Sequence, residues 1–128
     1  MRIPRLLLPT LFALAASAAQ AQDWPSKPVK VIVPFPPGGG TDTVARPLSA
    51  KLSQMLGQQF VIDNRGGAGG TIGATLAAKS PNDGYTVLLA PVHLSVAVTA
   101  YRNLQYDLEK DLAPVTSVAV FPDVMVAA

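Results

Sequence analysis

The 128-residue sequence has no cysteine and a single histidine. This excludes disulfide stapling, thiolate metal sites and a cysteine nucleophile. A zinc site built from histidine and cysteine lacks its ligands as well. Charge is also scarce, with 10 Lys and Arg against 8 Asp and Glu. Arg2 and Arg5 carry that whole excess. They precede an apolar run from Ile3 to Ala19, and Ala19-Gln20-Ala21 is a small-x-small cleavage site. Together these form the pattern of a secretory signal peptide over residues 1–21. Cleavage after Ala21 leaves 107 residues with 8 basic and 8 acidic side chains, hence no net charge. A nucleic-acid partner needs a basic face and is not expected. No second run of about 18 or more apolar residues follows, so no membrane anchor is expected in the mature chain. A lipoprotein would need cysteine where Gln22 stands. The mature product is expected to be soluble and outside the cytoplasm.

What is present is a repeating order of elements. Val29 to Val33 is rich in β-branched residues and bounded by prolines, which suits a buried strand. Pro36-Pro37-Gly38-Gly39-Gly40 ends it, because consecutive prolines and glycines break both regular ladders. A helix follows, with Val44, Leu48, Leu52 and Met55 as its apolar stripe and Arg46, Ser49, Ser53 and Gln54 away from it. Thr41, Asp42 or Thr43 is its expected N-cap and Gly57 its terminator. With Thr43 as the cap, Pro47 forfeits only the first helical bond. Gln59 to Asp63 reads as a second strand, Asn64 to Gly70 as a second glycine-rich loop and Thr71 to Lys79 as a second helix. Pro81 to Gly84 is a turn, Tyr85 to Ala90 a third strand, and His93 to Tyr101 a short helix. Asp107 to Asp111 reads as a charged surface turn. Strand, loop and helix repeated twice and then a strand imply an α/β fold: a parallel sheet with flanking helices. Val115–Phe121 and Val124–Ala128 are further apolar runs, and the chain stops inside the second. This reads as a truncated product.

Both glycine-rich loops leave a strand and enter a helix. The first N–H groups of a helix have no internal partner, and the dipole makes that end partly positive. Glycines let the backbone approach a ligand closely. Two such loops at the carboxyl ends of parallel strands can hold a small anion without lysine or arginine. Nucleotide cofactors fit poorly. Gly40 is followed by Thr41-Asp42 where a phosphate loop needs Lys and then Ser or Thr, and Gly67 to Gly73 misses the dinucleotide spacing by one residue. No cofactor and no metal is expected. Catalysis lacks parts too: His93 and Ser95 are near in sequence, but no Gly-x-Ser-x-Gly elbow surrounds Ser95 and no orienting carboxylate is identifiable. Asp63 is expected to end its strand as a satisfied acceptor, Asp83 to serve its turn and Trp24 to anchor the mature N-terminus. Phe35 is either core or an apolar wall over a ligand.

Trp24-Pro25-Ser26-Lys27-Pro28, followed by Val33-Pro34-Phe35-Pro36-Pro37-Gly38-Gly39-Gly40-Thr41-Asp42, resembles the opening of the Bug-type extracytoplasmic solute receptors of tripartite tricarboxylate transporters. Asn64 to Gly73, Pro81 to Thr86 and Tyr106 to Val115 fit the same family in the same order. The resemblance implies a two-domain periplasmic binding protein of type II that closes on a small carboxylate: a di- or tricarboxylate, an acidic amino acid or a similar acid. It implies membrane components of a tripartite transporter as partners, and no catalytic activity. Residues 22–128 would be the N-terminal portion of domain 1, an incomplete first domain reaching toward the hinge. The ligand-binding positions it implies are Phe35, Pro36, Gly38, Gly39, Gly40, Thr41 and Asp42 in the first loop, and Asn64, Gly69, Gly70 and Thr71 in the second. His93 would complete that side as a specificity element, since relatives often carry small hydroxyl residues there. The competing readings are a secreted Rossmann-like enzyme and a non-functional remnant of a longer gene.

Overall fold

A computed structural model of the chain describes residues 23–120. The leader and the residues from Phe121 onward, including the Val124–Ala128 run, lie outside them.

Strand β1 is Val29–Val33, as the sequence predicts residue for residue. It lies between β2 (Phe60–Asn64) and β3 (Thr86–Leu88), parallel to both, giving the order β2-β1-β3. Val31 pairs with Ile62 on one side and Val87 on the other. Parallel neighbours cannot be joined by a tight turn, so each connection carries a helix. Helix α1 (Gly40–Leu56) connects β1 to β2, and α2 (Thr71–Ala78) connects β2 to β3. Helix α3 (His93–Ala100) follows β3. Alternate residues of a strand face opposite sides, and two separate cores result. Val29, Val31 and Phe60 pack with Leu52 of α1 and with Val87. Leu88 packs on the other face with Ala74 and Ala78 of α2, Leu94 of α3 and Tyr106. The architecture is the α/β parallel sheet with flanking helices that the element order predicts.

Three local expectations change. The N-cap of α1 is Gly39, with no side-chain cap bond, rather than Thr41, Asp42 or Thr43. Asp42 instead reaches back from inside the first turn to accept the Gly38 N–H at 2.9 Å, so the helix begins earlier than a side-chain cap would place it. Pro47 consequently lies inside the helix, where it withholds the hydrogen bond that the Thr43 carbonyl would accept. The buried face of α1 also differs from the apolar stripe. Ala45 is fully buried and Ser49 is 4% exposed, while Met55 is 67% exposed. Small residues let the helix lie close to the sheet, and Val44, Leu48 and Leu52 flank that contact half-buried. Ser53 is also drawn in: its hydroxyl accepts the Phe60 N–H at 2.9 Å, tying the end of α1 to the start of β2. Met55→Ser is therefore expected to change stability by less than about 0.5 kcal/mol. A urea titration showing a loss of core size would return Met55 to the packed stripe.

Strand β3 is shorter than the predicted Tyr85–Ala90 run, although the ladder continues beyond it through Lys30 N–H to Tyr85 O (2.8 Å) and Leu89 N–H to Ile32 O (3.0 Å). The remaining turns behave as read. Gly57 ends α1 with φ +70°. Asp83 accepts the Tyr85 N–H at 3.0 Å and a hydrogen bond from Lys27 at 3.1 Å. Asp63 accepts from Arg65 Nε at 2.7 Å, although Asn64 rather than Asp63 is the last residue of β2. Trp24 packs edge-on against Phe60 at 6.3 Å between ring centroids and tilted against Tyr85 at 6.2 Å, anchoring the segment before β1.

Candidate ligand-binding site

The three loops that leave the carboxyl ends of the strands meet. Residues 34–39 lead from β1 into α1, residues 65–70 from β2 into α2, and residues 89–92 from β3 into α3. The chain turns to opposite faces of the sheet after β1 and after β3, which is the topological position where open parallel sheets bind ligands. Phe35 occupies the junction. Its ring meets that of His93 edge-on, with centroids 4.7 Å apart at 71°. A Cβ added at Gly70 would lie 3.1 Å from Phe35 Cζ and 3.3 Å from Leu94 Cδ2, so the second loop presses on the same ring. A Cβ added at Gly66 would likewise lie 3.1 Å from Pro36 Cδ. Phe35 is half-buried and His93 exposed, so the aromatic pair faces outward as a wall.

Glycines 38 and 40 have open space where a Cβ would stand. The first helical bond of α1 is Thr43 N–H to Gly39 O at 2.9 Å. The N–H groups of Gly40, Thr41 and Asp42 therefore stand ahead of the helical ladder, as the first donors of any helix do. Thr41 is half-buried in that turn.

Asp42 and Asn64, both expected at the ligand, have side chains engaged inside the protein. Asp42 is 1% exposed. Its carboxylate accepts from Arg46 Nε at 2.7 Å, from the Gly38 N–H at 2.9 Å and from Asn64 Nδ2 at 3.0 Å. The Arg46 guanidinium first, then those two donors, hold the Asp42 carboxyl down at about 2 against an ordinary 3.8. Arg46 also balances the negative charge that would otherwise compete with an anion at the start of α1. Asn64 Nδ2 donates a second time, to Phe35 O at 3.0 Å. One amide group thus ties β2 to both ends of the first loop and sets the two loops in register. The Thr71 hydroxyl likewise donates inward, to Ala68 O at 2.9 Å. Sequence reasoning missed Tyr101, whose hydroxyl lies over Gly69 in the second loop. No spacing signal links a residue at the far end of α3 to a glycine thirty-two positions earlier.

Shallow concavities of about 490 Å³ beside β2, along Pro28, Lys30, Val61 and Arg65, and about 430 Å³ between α1 and β2 lie away from this junction. They are open grooves along the sheet edge, and the loops alone bring helix starts and aromatic walls together.

Glycine loops and helix N-termini thus gather at the carboxyl edge of a parallel sheet, the edge at which open sheets of this kind receive ligands. Residues 44–128 match the tripartite tricarboxylate transporter family receptor, and the chain belongs to that family. It is 45% identical to the periplasmic binding protein BugD, with a TM-score of 0.63 over 66% of this chain and 28% of that one. It is 39% identical to MatC from Rhodopseudomonas palustris with bound malate, with a TM-score of 0.66 over 74% of this chain and 33% of that one. A second R. palustris protein, solved with adipate, is 44% identical, with a TM-score of 0.59 over 66% of this chain and 29% of that one. The chain spans 35–37% of the length of three curated relatives that it matches at 42–47% identity.

Proposed function

We propose that the chain forms the loop-bearing side of a receptor cleft that captures a small dicarboxylate and passes it to the membrane components of a tripartite transporter. The observation that carries this reading is the convergence of the three loops on Phe35, with the start of α1 open beside it. Relatives solved with malate and with adipate supply the ligand chemistry. Backbone N–H groups at the helix starts hold a carboxylate, and the Phe35–His93 wall covers the carbon stem. Residues 22–128 belong to the first of two domains, and the leader ending at Ala21 directs the chain to the periplasm, where BugD resides. Relatives that are periplasmic binding proteins support a role in binding rather than catalysis, with His93 packed against Phe35 as part of a wall.

Affinity follows from magnitudes. Each helix start contributes about 0.3–2 kcal/mol to an anion, and each charge-assisted hydrogen bond about 1.5–3 kcal/mol. Three or four such bonds and two helix starts reach about 8 kcal/mol gross, of which association consumes at least about 4. The chain by itself is expected to bind malate at about millimolar Kd. A titration followed by amide NMR should move resonances of residues 35–42 and 64–71 and leave those of 107–111 in place. Micromolar binding would refute the estimate, and shifts confined elsewhere would refute the site.

A further inference from the structure

A hydroxyl from outside the second loop, that of Tyr101, lies against it. Thr71 directs its own hydroxyl proton to Ala68 O, so its side chain has no proton left to give a ligand. Tyr101 closes α3, with its N–H bonded to Ala97 O at 2.9 Å, and its ring folds back over the glycine turn. A Cβ at Gly69 would lie 2.8 Å from the Tyr101 hydroxyl oxygen and 3.6 Å from Cζ. Real Cβ atoms do not approach a neighbour at the first of these distances, so a side chain at position 69 would displace this hydroxyl from the loop. Gly69 also has φ +64°, a region that glycine enters without steric cost. The side chain is 44% exposed, and its hydroxyl makes no hydrogen bond among the described residues. A phenol on a rigid ring, seated on the backbone of a candidate anion cradle with its proton uncommitted, is a donor in waiting. Its ring has only two torsions to immobilise, which keeps the entropic cost of using it low.

We propose that Tyr101 is a ligand-contacting specificity residue whose hydroxyl donates to a carboxylate oxygen held at the second loop. This rests on the cleft reading given above. It divides the labour at the site: backbone N–H groups supply the general attraction for an anion, and Tyr101 supplies one directional bond that selects where a carboxylate sits. Gly69 then leaves room for the Tyr101 hydroxyl as well as making its own turn.

The test is the chain carrying Tyr101→Phe, titrated with malate beside the wild type and followed at the Gly69 and Gly70 amides, with thermal unfolding of both proteins in parallel. Tyr101→Phe keeps the ring and its packing and removes only the hydroxyl. The expected result is an unchanged unfolding midpoint and a malate affinity about tenfold weaker, the scale of one hydrogen bond to a charged group. Equal affinity in the two proteins, with the loop amides still responding, would overturn the role of Tyr101 and leave the cleft intact. If the wild-type loop amides do not respond to malate at all, the cleft reading and this inference both fail.

Discussion

Gly73→Ala is expected to destabilise the chain by about 1–2 kcal/mol, although alanine is the better helix former by about 1 kcal/mol. Gly73 lies inside α2 and is buried. A Cβ there would stand 2.8 Å from Arg65 O, 2.8 Å from Pro34 Cβ and 2.9 Å from Pro34 Cα. Two of those three atoms are backbone, so no side-chain rotation relieves the contact. Overpacking of this kind costs typically about 1–3 kcal/mol and occasionally more, and with rigid neighbours on both sides the upper part of that range applies. The clash therefore outweighs the gain in propensity. In a domain of this size the unfolding midpoint should fall by roughly 5–10 °C. A raised midpoint would show that α2 stands farther from β1 than these distances say. The site should respond as well, because Pro34 begins the first loop and Arg65 the second: pushing α2 outward separates the two loops that meet on Phe35.

Asp42→Asn should lower stability at neutral pH by more than Met55→Ser does, and the deficit should disappear in acid. The carboxyl is held at about 2 in the folded chain against an ordinary 3.8. Between those values the unfolded chain binds the proton and the folded chain does not, so stability rises with pH across that window. The contribution is complete above about pH 4, falls as pH drops toward 2 and is absent below, where both states are protonated. Asp83 and Asp107 are also held below their ordinary range, chiefly by the Tyr85 N–H and by Lys110 respectively. Subtracting the variant's pH profile from that of the wild type isolates Asp42. Parallel profiles between pH 2 and 4 would show that the Arg46, Gly38 and Asn64 bonds do not favour the ionised carboxyl.

These two positions also mark where sequence reasoning succeeds and where it stops. β1, Gly57, the two glycine loops and α3 were legible because each rests on local chemistry: β-branched runs between prolines, a left-handed terminator, breakers after a strand. By propensity alone Gly73 is a weak point of α2, since helix propensity is local and the approach of Pro34 and Arg65 is not. The apolar spacing of Val44, Leu48, Leu52 and Met55 pointed to a stripe, whereas the sheet selected Ala45 and Ser49 because small residues permit closer contact. That the loops gather at one edge of the sheet was readable from their placement after the strands. The duties of their side chains were not, because Asp42, Asn64 and Thr71 look like ligand contacts until their partners are seen to be Gly38, Phe35 and Ala68. Tyr101 was invisible for the opposite reason: what identifies it is a distance across the fold.

The Trp24 anchor has a practical consequence. Trp24 rests on Phe60 and Tyr85, beside the amino ends of β2 and β3, while Ser26 meets the Tyr85 hydroxyl at 3.0 Å. The polypeptide therefore enters the sheet at the rim opposite the aromatic wall. A fluorophore or affinity handle attached just ahead of Asp23 would start from that far rim, so the chain can be immobilised or labelled there while the Phe35–His93 pair stays clear.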